Sequence, residues 1–147
     1  MSERPNILFI ISDQMTTALT GVYGHPVVQT PHLQRLAAES VRFDAAYTPF
    51  PLCSPSRACM MTGRHASEIG AWDNGALLPA DQVTFAHYLS NAGYDTVLSG
   101  KMHFVGPDQL HGFQRRLTTD IYSCHFDWVK PEWIRIKETQ GRDCEQV

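Results

Sequence analysis

The sequence predicts an α/β fold in which a mostly parallel sheet is flanked by helices. Three observations carry that expectation. A continuous apolar run, Ile7 to Ile11, sits between polar residues, as in a strand covered on both faces. Apolar residues recur at helical spacing after Pro31 and again after Thr84. Strand-like stretches alternate with these helical ones, the order of a parallel α/β layer.

Asn6 to Ser12 is the first expected strand. Thr30-Pro31 then supplies an N-cap and a proline at the first helical position, and Leu33, Leu36 and Ala37 extend the pattern, so residues 31–39 read as a helix. Val41 to Tyr47 alternates weakly and is read as a second strand. Pro49, Pro51 and Pro55 punctuate the next stretch, and a helix is expected from near Pro55 to near Thr62, ended by Gly63. Thr84 to Asn91 carries Phe85, Tyr88 and Leu89 on one helical face, with Gly93 as its C-terminal cap. Tyr94 to Ser99 reads as a further strand, followed at once by Gly100-Lys101. Beyond Gly106 the pattern is irregular, and Trp128, Trp133 and the charged tail from Lys137 define no element. There is no internal repeat and no low-complexity linker.

Composition narrows the function classes. The length of 147 residues suits one domain, and 43% hydrophobic content is enough to build a core. Twelve Lys and Arg against 15 Asp and Glu, a net charge of -3, give no electrostatic case for nucleic acid or an anionic membrane as partner. The run Ile7 to Ile11 is too short for a signal-peptide core or a membrane span, so a cytoplasmic protein is expected. Cys53, Cys59, Cys124 and Cys144 form no CxxC pair and no disulfide framework, which agrees. His25, His32, His65, His87 and His125 form no zinc pattern.

In open parallel sheets, ligands sit outside the carboxyl ends of the strands. Asp13 follows the first expected strand, Lys101 and His103 follow Tyr94 to Ser99, and Cys53 opens a helix after a loop; the three places are expected to meet at one edge. The strongest local signal is Cys53-Ser54-Pro55-Ser56-Arg57, extended by Thr62-Gly63-Arg64. A cysteine at a helix N-terminus is expected to have a lowered pKa, because the helix amides favour the thiolate. Arg57, one turn on, is expected to face the same point. A lone cysteine in such a place is ordinarily a buried structural one, and the whole string argues against that.

Cys-x-Pro-x-Arg followed by Thr-Gly-Arg resembles the motif of type I sulfatases, in the alkaline-phosphatase superfamily. Pro5-Asn6-Ile7-Leu8 leading to Asp13 resembles the family's first strand and metal ligand. Thr30 to Ala37 resembles its first helix, and Gly100-Lys101-Met102-His103 its Gly-Lys-x-His element. A narrower likeness, to the choline-sulfatase subgroup, is carried by Leu98 to Phe113, Arg116 to Tyr122 and Ser12-Asp13-Gln14-Met15, where many sulfatases have two consecutive acids.

The resemblance implies an alkaline-phosphatase-like fold, a parallel-rich central sheet flanked by helices, with residues 1–147 forming the N-terminal portion of a catalytic domain. Further metal ligands, and a second Lys and His that contact the sulfate and the leaving group, are then expected elsewhere. The chain reads as a fragment, inactive by itself. The implied reaction is hydrolysis of a small sulfate ester, with choline sulfate favoured. An aryl or alkyl sulfatase, a phosphonate monoester hydrolase or an inactive remnant are the alternatives.

The resemblance also implies that a formylglycine-generating enzyme oxidises Cys53 to formylglycine. Hydrated, that aldehyde is a geminal diol. One hydroxyl, its pKa lowered by a divalent metal, attacks sulfur and expels the alcohol. The other then loses its proton, and the C–O bond breaks to release sulfate and restore the aldehyde. Calcium is the expected metal, with magnesium or manganese as alternatives, and hard cations take oxygen ligands. The implied ligands are Asp13, the diol at Cys53, and Gln14 through its amide carbonyl; a structural hydrogen bond is an equal reading for Gln14. Arg57 and Lys101 are expected to neutralise the sulfate, and His103 to act as base. Asn74 is a candidate substrate contact. Trp72 is read as packing, His111 as supporting the site or the fold, and Cys59 as helix packing. The resemblance leaves a homo-oligomer of the full-length protein open.

Overall fold

A computed structural model describes residues 4–118 and 120. Trp128, Trp133, the tail from Lys137, His125, Cys124 and Cys144 lie outside the described residues. The chain divides into two compact units, Met1–Ala46 and Tyr47–Val147.

In the first unit, two short 3-10 turns, Thr17–Leu19 and Gly21–Tyr23, precede helix α1, Pro31–Ala38. Proline at the first position presets the backbone of α1 as expected. Thr30 occupies the cap position, but its hydroxyl accepts the Gly21 N–H at 3.0 Å instead of a helix amide. Gln34 Nε2 donates to the Gly21 carbonyl at 3.2 Å, so α1 is tied back to the second 3-10 turn. Arg42 closes the unit, stacked 5.1 Å from the Tyr23 ring and paired with Asp44 at 2.7 Å.

Two expected strands are not found here. Residues 6–12 and 41–47 belong to no ladder, and their apolar side chains are exposed, Leu8 at 84% and Val41 at 77%. The reason is physical: a strand exists through its neighbours, and a parallel strand draws them from distant sequence. Among the described residues the sheet consists of two strands, both in the second unit.

The second unit holds the core. Helix α2, Cys53–Thr62, begins two residues before the expected start at Pro55, because Ser56 N–H already donates to the Leu52 carbonyl at 3.0 Å. Gly63, at φ 69°, ends it as expected. The short helix α3, Ala66–Ile69, follows, with Glu68 Oε2 accepting the His65 N–H at 2.8 Å. Helix α4, Phe85–Asn91, starts after Thr84. Its buried residue is Ala86, while Tyr88, expected on the inner face, is exposed at 69%. Strand β1, Val97–Leu98, pairs in parallel with β2, Arg115–Arg116, in the register Val97 with Arg115 and Leu98 with Arg116. The expected strand over Tyr94 to Ser99 is thus two residues long. Ala58, Met61, Ala71, Leu78, Ala86, Leu98, Met102 and Phe104 form one buried cluster, with Phe85 and Phe113 edge to face at 6.0 Å beside it. Cys59 is buried on α2 in the manner expected of a packing residue. Among the described residues no helix is long and apolar enough to cross a membrane.

Candidate active site

The site forms where the N-terminus of α2 meets the loop after β1. Cys53 is the first residue of α2 and is half-buried. Lys101 Nζ donates to its Sγ at 3.6 Å. Arg57, one turn along α2, is buried; its Nη1 donates to the Lys101 carbonyl at 2.9 Å and lies 3.8 Å from Met102 Sδ. The two cations are therefore linked: the Arg57 guanidinium fastens the backbone of the residue whose ammonium reaches Cys53. A positive pair beside a helix N-terminus is an arrangement that favours an anion.

Asn74 enters the same corner. Its Oδ1 accepts the Ser54 N–H at 3.1 Å, and Ser54 Oγ donates to the Ala76 carbonyl at 3.2 Å. Asn74 thus satisfies one of the open amides at the start of α2, a job usually done by a residue at the cap position. Leu52, which occupies that position, has no side chain able to do it. The segment Asn74–Ala76 reaches across from distant sequence, so spacing alone did not reveal this role. Trp72, read from sequence as packing, is instead 60% exposed.

His103 is buried, 2% exposed, with φ 57°. A non-glycine residue in the left-handed region costs roughly 1–3 kcal/mol and is characteristic of functional sites. Burial, above all, holds its pKa below the ordinary histidine range; Lys101 and Arg57 push the same way, against Asp120 and the Asn74 carbonyl. A neutral ring at neutral pH can accept a proton, as a base must.

Sequence reasoning did not assign Asp120 a role in the site. Its side chain is 1% exposed, and its Oδ2 accepts the Met102 N–H at 2.9 Å, the His103 N–H at 2.6 Å and Arg116 Nη2 at 2.8 Å. Burial works against its ionisation, but the Met102 amide, the Arg116 side chain and the His103 amide outweigh it and hold the pKa below the usual range. Arg116 also donates to the Gly100 carbonyl at 3.3 Å and to Gln109 Oε1 at 2.8 Å. His111 is buried against the Phe104 ring at 4.4 Å, with Nδ1 3.3 Å from Asp108. Burial first, and His87 second to the opposing Asp108, leaves its pKa lowered.

Of the residues expected at the site, the second unit brings Cys53, Arg57, Lys101, His103 and Asn74 together. Asp13 and Gln14 belong to the first unit, where both are exposed and Gln14 has φ 53°. Among the described residues no three His, Cys, Asp or Glu side chains cluster as a metal site. Asp13 and Gln14 offer a carboxylate and an amide oxygen, donors of the kind a hard cation takes.

Comparison with known proteins gives the family of the chain. The sulfatase family model matches residues 5–127. Choline-sulfatase of Rhizobium meliloti is 50% identical over 126 residues, covering 86% of this chain and 25% of that protein. N-acetylglucosamine-6-O-sulfatase of Bacteroides thetaiotaomicron is 42% identical over 108 residues, covering 74% and 19%. The structure of BT4656 in complex with D-glucosamine-2-N,6-O-disulfate superposes with a TM-score of 0.73 at 41% identity, covering 78% of this chain and 23% of that one. The phosphonate monoester hydrolase of Agrobacterium radiobacter gives 0.70 at 26% identity, covering 94% and 29%. The chain thus spans a quarter or less of the two curated relatives. It carries part of the alkaline-phosphatase-like fold, with a short parallel ladder and flanking helices. On its motifs, its geometry and the matched residues 5–127, the chain belongs to the sulfatase family.

Proposed function

We propose that the whole protein hydrolyses a sulfate ester, choline sulfate in particular, and that this chain supplies the nucleophile end of its active site. The observation that carries the reading is the contact of Lys101 Nζ with Cys53 Sγ at 3.6 Å, on a helix N-terminus and tied through Arg57 to the same loop. The 50% identity to choline-sulfatase supports the choice of ester.

In this reading Cys53 is converted to formylglycine by a formylglycine-generating enzyme and hydrated to a diol. Lys101 holds the nucleophilic oxygen and, with Arg57, offsets the charge of the sulfate as the alcohol departs. His103, buried and neutral, takes the proton of the second hydroxyl, and C–O cleavage then frees sulfate. By the family resemblance, Asp13, Gln14 and the oxygen of modified Cys53 would hold a divalent cation, calcium or alternatively magnesium or manganese, through the oxygen donors that hard cations take. When bound, such a cation lowers the pKa of a hydroxyl and draws charge from the sulfate oxygens. Asn74 both caps α2 and borders the substrate.

The test is turnover by the whole protein of choline sulfate against an aryl sulfate. The expected kcat/KM favours choline sulfate by at least about tenfold. Equal or reversed preference overturns the choice of ester, and no turnover of any sulfate ester overturns the reading as a whole.

A further inference from the structure

The Lys101–Met102 peptide unit is gripped at both poles. Its carbonyl accepts from Arg57 Nη1 at 2.9 Å, and its N–H donates to Asp120 Oδ2 at 2.9 Å. The next amide, of His103, donates to the same oxygen at 2.6 Å. Two successive N–H groups converging on one anion make a concave backbone nest, and a carboxylate is its natural occupant. His103 there has φ 57°, a left-handed conformation uncommon outside glycine. The carboxylate is itself fixed by Arg116, which also holds the Gly100 carbonyl and Gln109. Gly100 N–H donates to Thr118 Oγ1 at 2.6 Å, a further tie between the same two segments.

The geometry points to Asp120 as a positioning residue for sulfate-ester hydrolysis: its carboxylate sets the turn that aims Lys101 at Cys53 and places the His103 ring. Asp120 acts by holding the backbone of Lys101 and His103, one on each side of Met102. The inference rests on the sulfate-ester reading above. Its geometric part, the hold on two amides, can be read without turnover.

Asp120→Ala, Asp120→Asn and Asp120→Glu are compared in the whole protein by kcat and KM for choline sulfate, by Tm, and by hydrogen exchange at the Met102 and His103 amides. Asp120→Ala is expected to lower kcat about 100-fold with KM within about threefold, since small misplacements cost that much. Asp120→Asn keeps an acceptor for both amides without the charge and should recover most of kcat. Asp120→Glu keeps the charge for Arg116 but moves the oxygens by one methylene, and should remain about tenfold slow. A role confined to the Arg116 ion pair predicts the reverse order, with Glu better than Asn. Asp120→Ala within about twofold of the wild-type kcat overturns the inference. Should Asp120→Ala fail to fold, Glu at or above Asn overturns it, and Asn above Glu upholds it. If the wild-type protein turns over no sulfate ester, the functional reading fails by itself. Exchange at Met102 and His103 then decides: faster in Asp120→Glu upholds the hold on the turn, unchanged exchange overturns it.

Discussion

At the residue scale, the site is made by side chains whose charges lean on the backbone of their neighbours. Arg57 is the example. Its guanidinium is buried on α2 yet donates to a carbonyl 44 residues away, in the loop that carries Lys101 and His103. Removing it takes one cation from the anion site and also leaves the Lys101 carbonyl without that donor. Arg57→Ala in the whole protein is therefore expected to lower kcat/KM for a sulfate ester by about 100-fold or more. Arg57→Lys should restore little, because an ammonium cannot keep the planar donor pattern. Steady-state kinetics checks both; near-normal kcat/KM in either variant contradicts the role given to Arg57. The motif made Cys53, Arg57, Lys101 and His103 legible in the sequence, since each sits at a fixed place in a short string. Asp120 was not legible as a site residue. Its work is to accept backbone amides, and any residue has those, so no side-chain pattern announces it.

At the element scale, local signals were read well and long-range pairing was not. α1 and the C-terminus of α2 follow from Pro31 and Gly63, which act through their own backbone preferences. α3 has four residues, too few to show a helical period, and β2 is two arginines, which carry no strand signal. Residues 6–12 have the composition of a buried strand but lie in no ladder, because pairing depends on partners that composition does not contain. The join between α4 and the loop over residues 111–113 illustrates such long-range dependence. Thr84 Oγ1 donates to the His111 carbonyl at 2.6 Å, and Gly112, at φ 94°, passes so close to α4 that an added Cβ would stand 2.7 Å from the His87 backbone nitrogen and closer to its ring. Gly112→Ala is expected to destabilise by about 2–3 kcal/mol, from strain plus overlap. Gly63→Ala, where an added Cβ meets nothing within 4 Å, should cost about 1–2 kcal/mol from the left-handed backbone alone. Denaturant unfolding of the two variants checks this; equal losses contradict the close approach.

At the scale of the whole molecule, the two units differ in what they bury. The second unit has a continuous apolar cluster that includes Met61, Leu98 and Phe104, and the site residues Arg57 and His103 are buried with it. A packed base of this kind keeps catalytic groups in place, which matters because positioning accounts for much of a catalytic rate. The first unit has Thr20 buried and exposes Ile7, Leu8, Phe9 and Ile10. It also carries Asp13 and Gln14, the proposed oxygen ligands. The account as a whole depends on what Cys53 becomes. A thiol held by Lys101 would be a resting cysteine in an anion site, whereas an aldehyde there can be hydrated, take up a sulfuryl group and release it. Peptide mass spectrometry across residue 53, on the whole protein from its native host, tests this most directly. The account predicts the mass of formylglycine at that position; an unmodified cysteine in a protein that still turns over sulfate esters would contradict it.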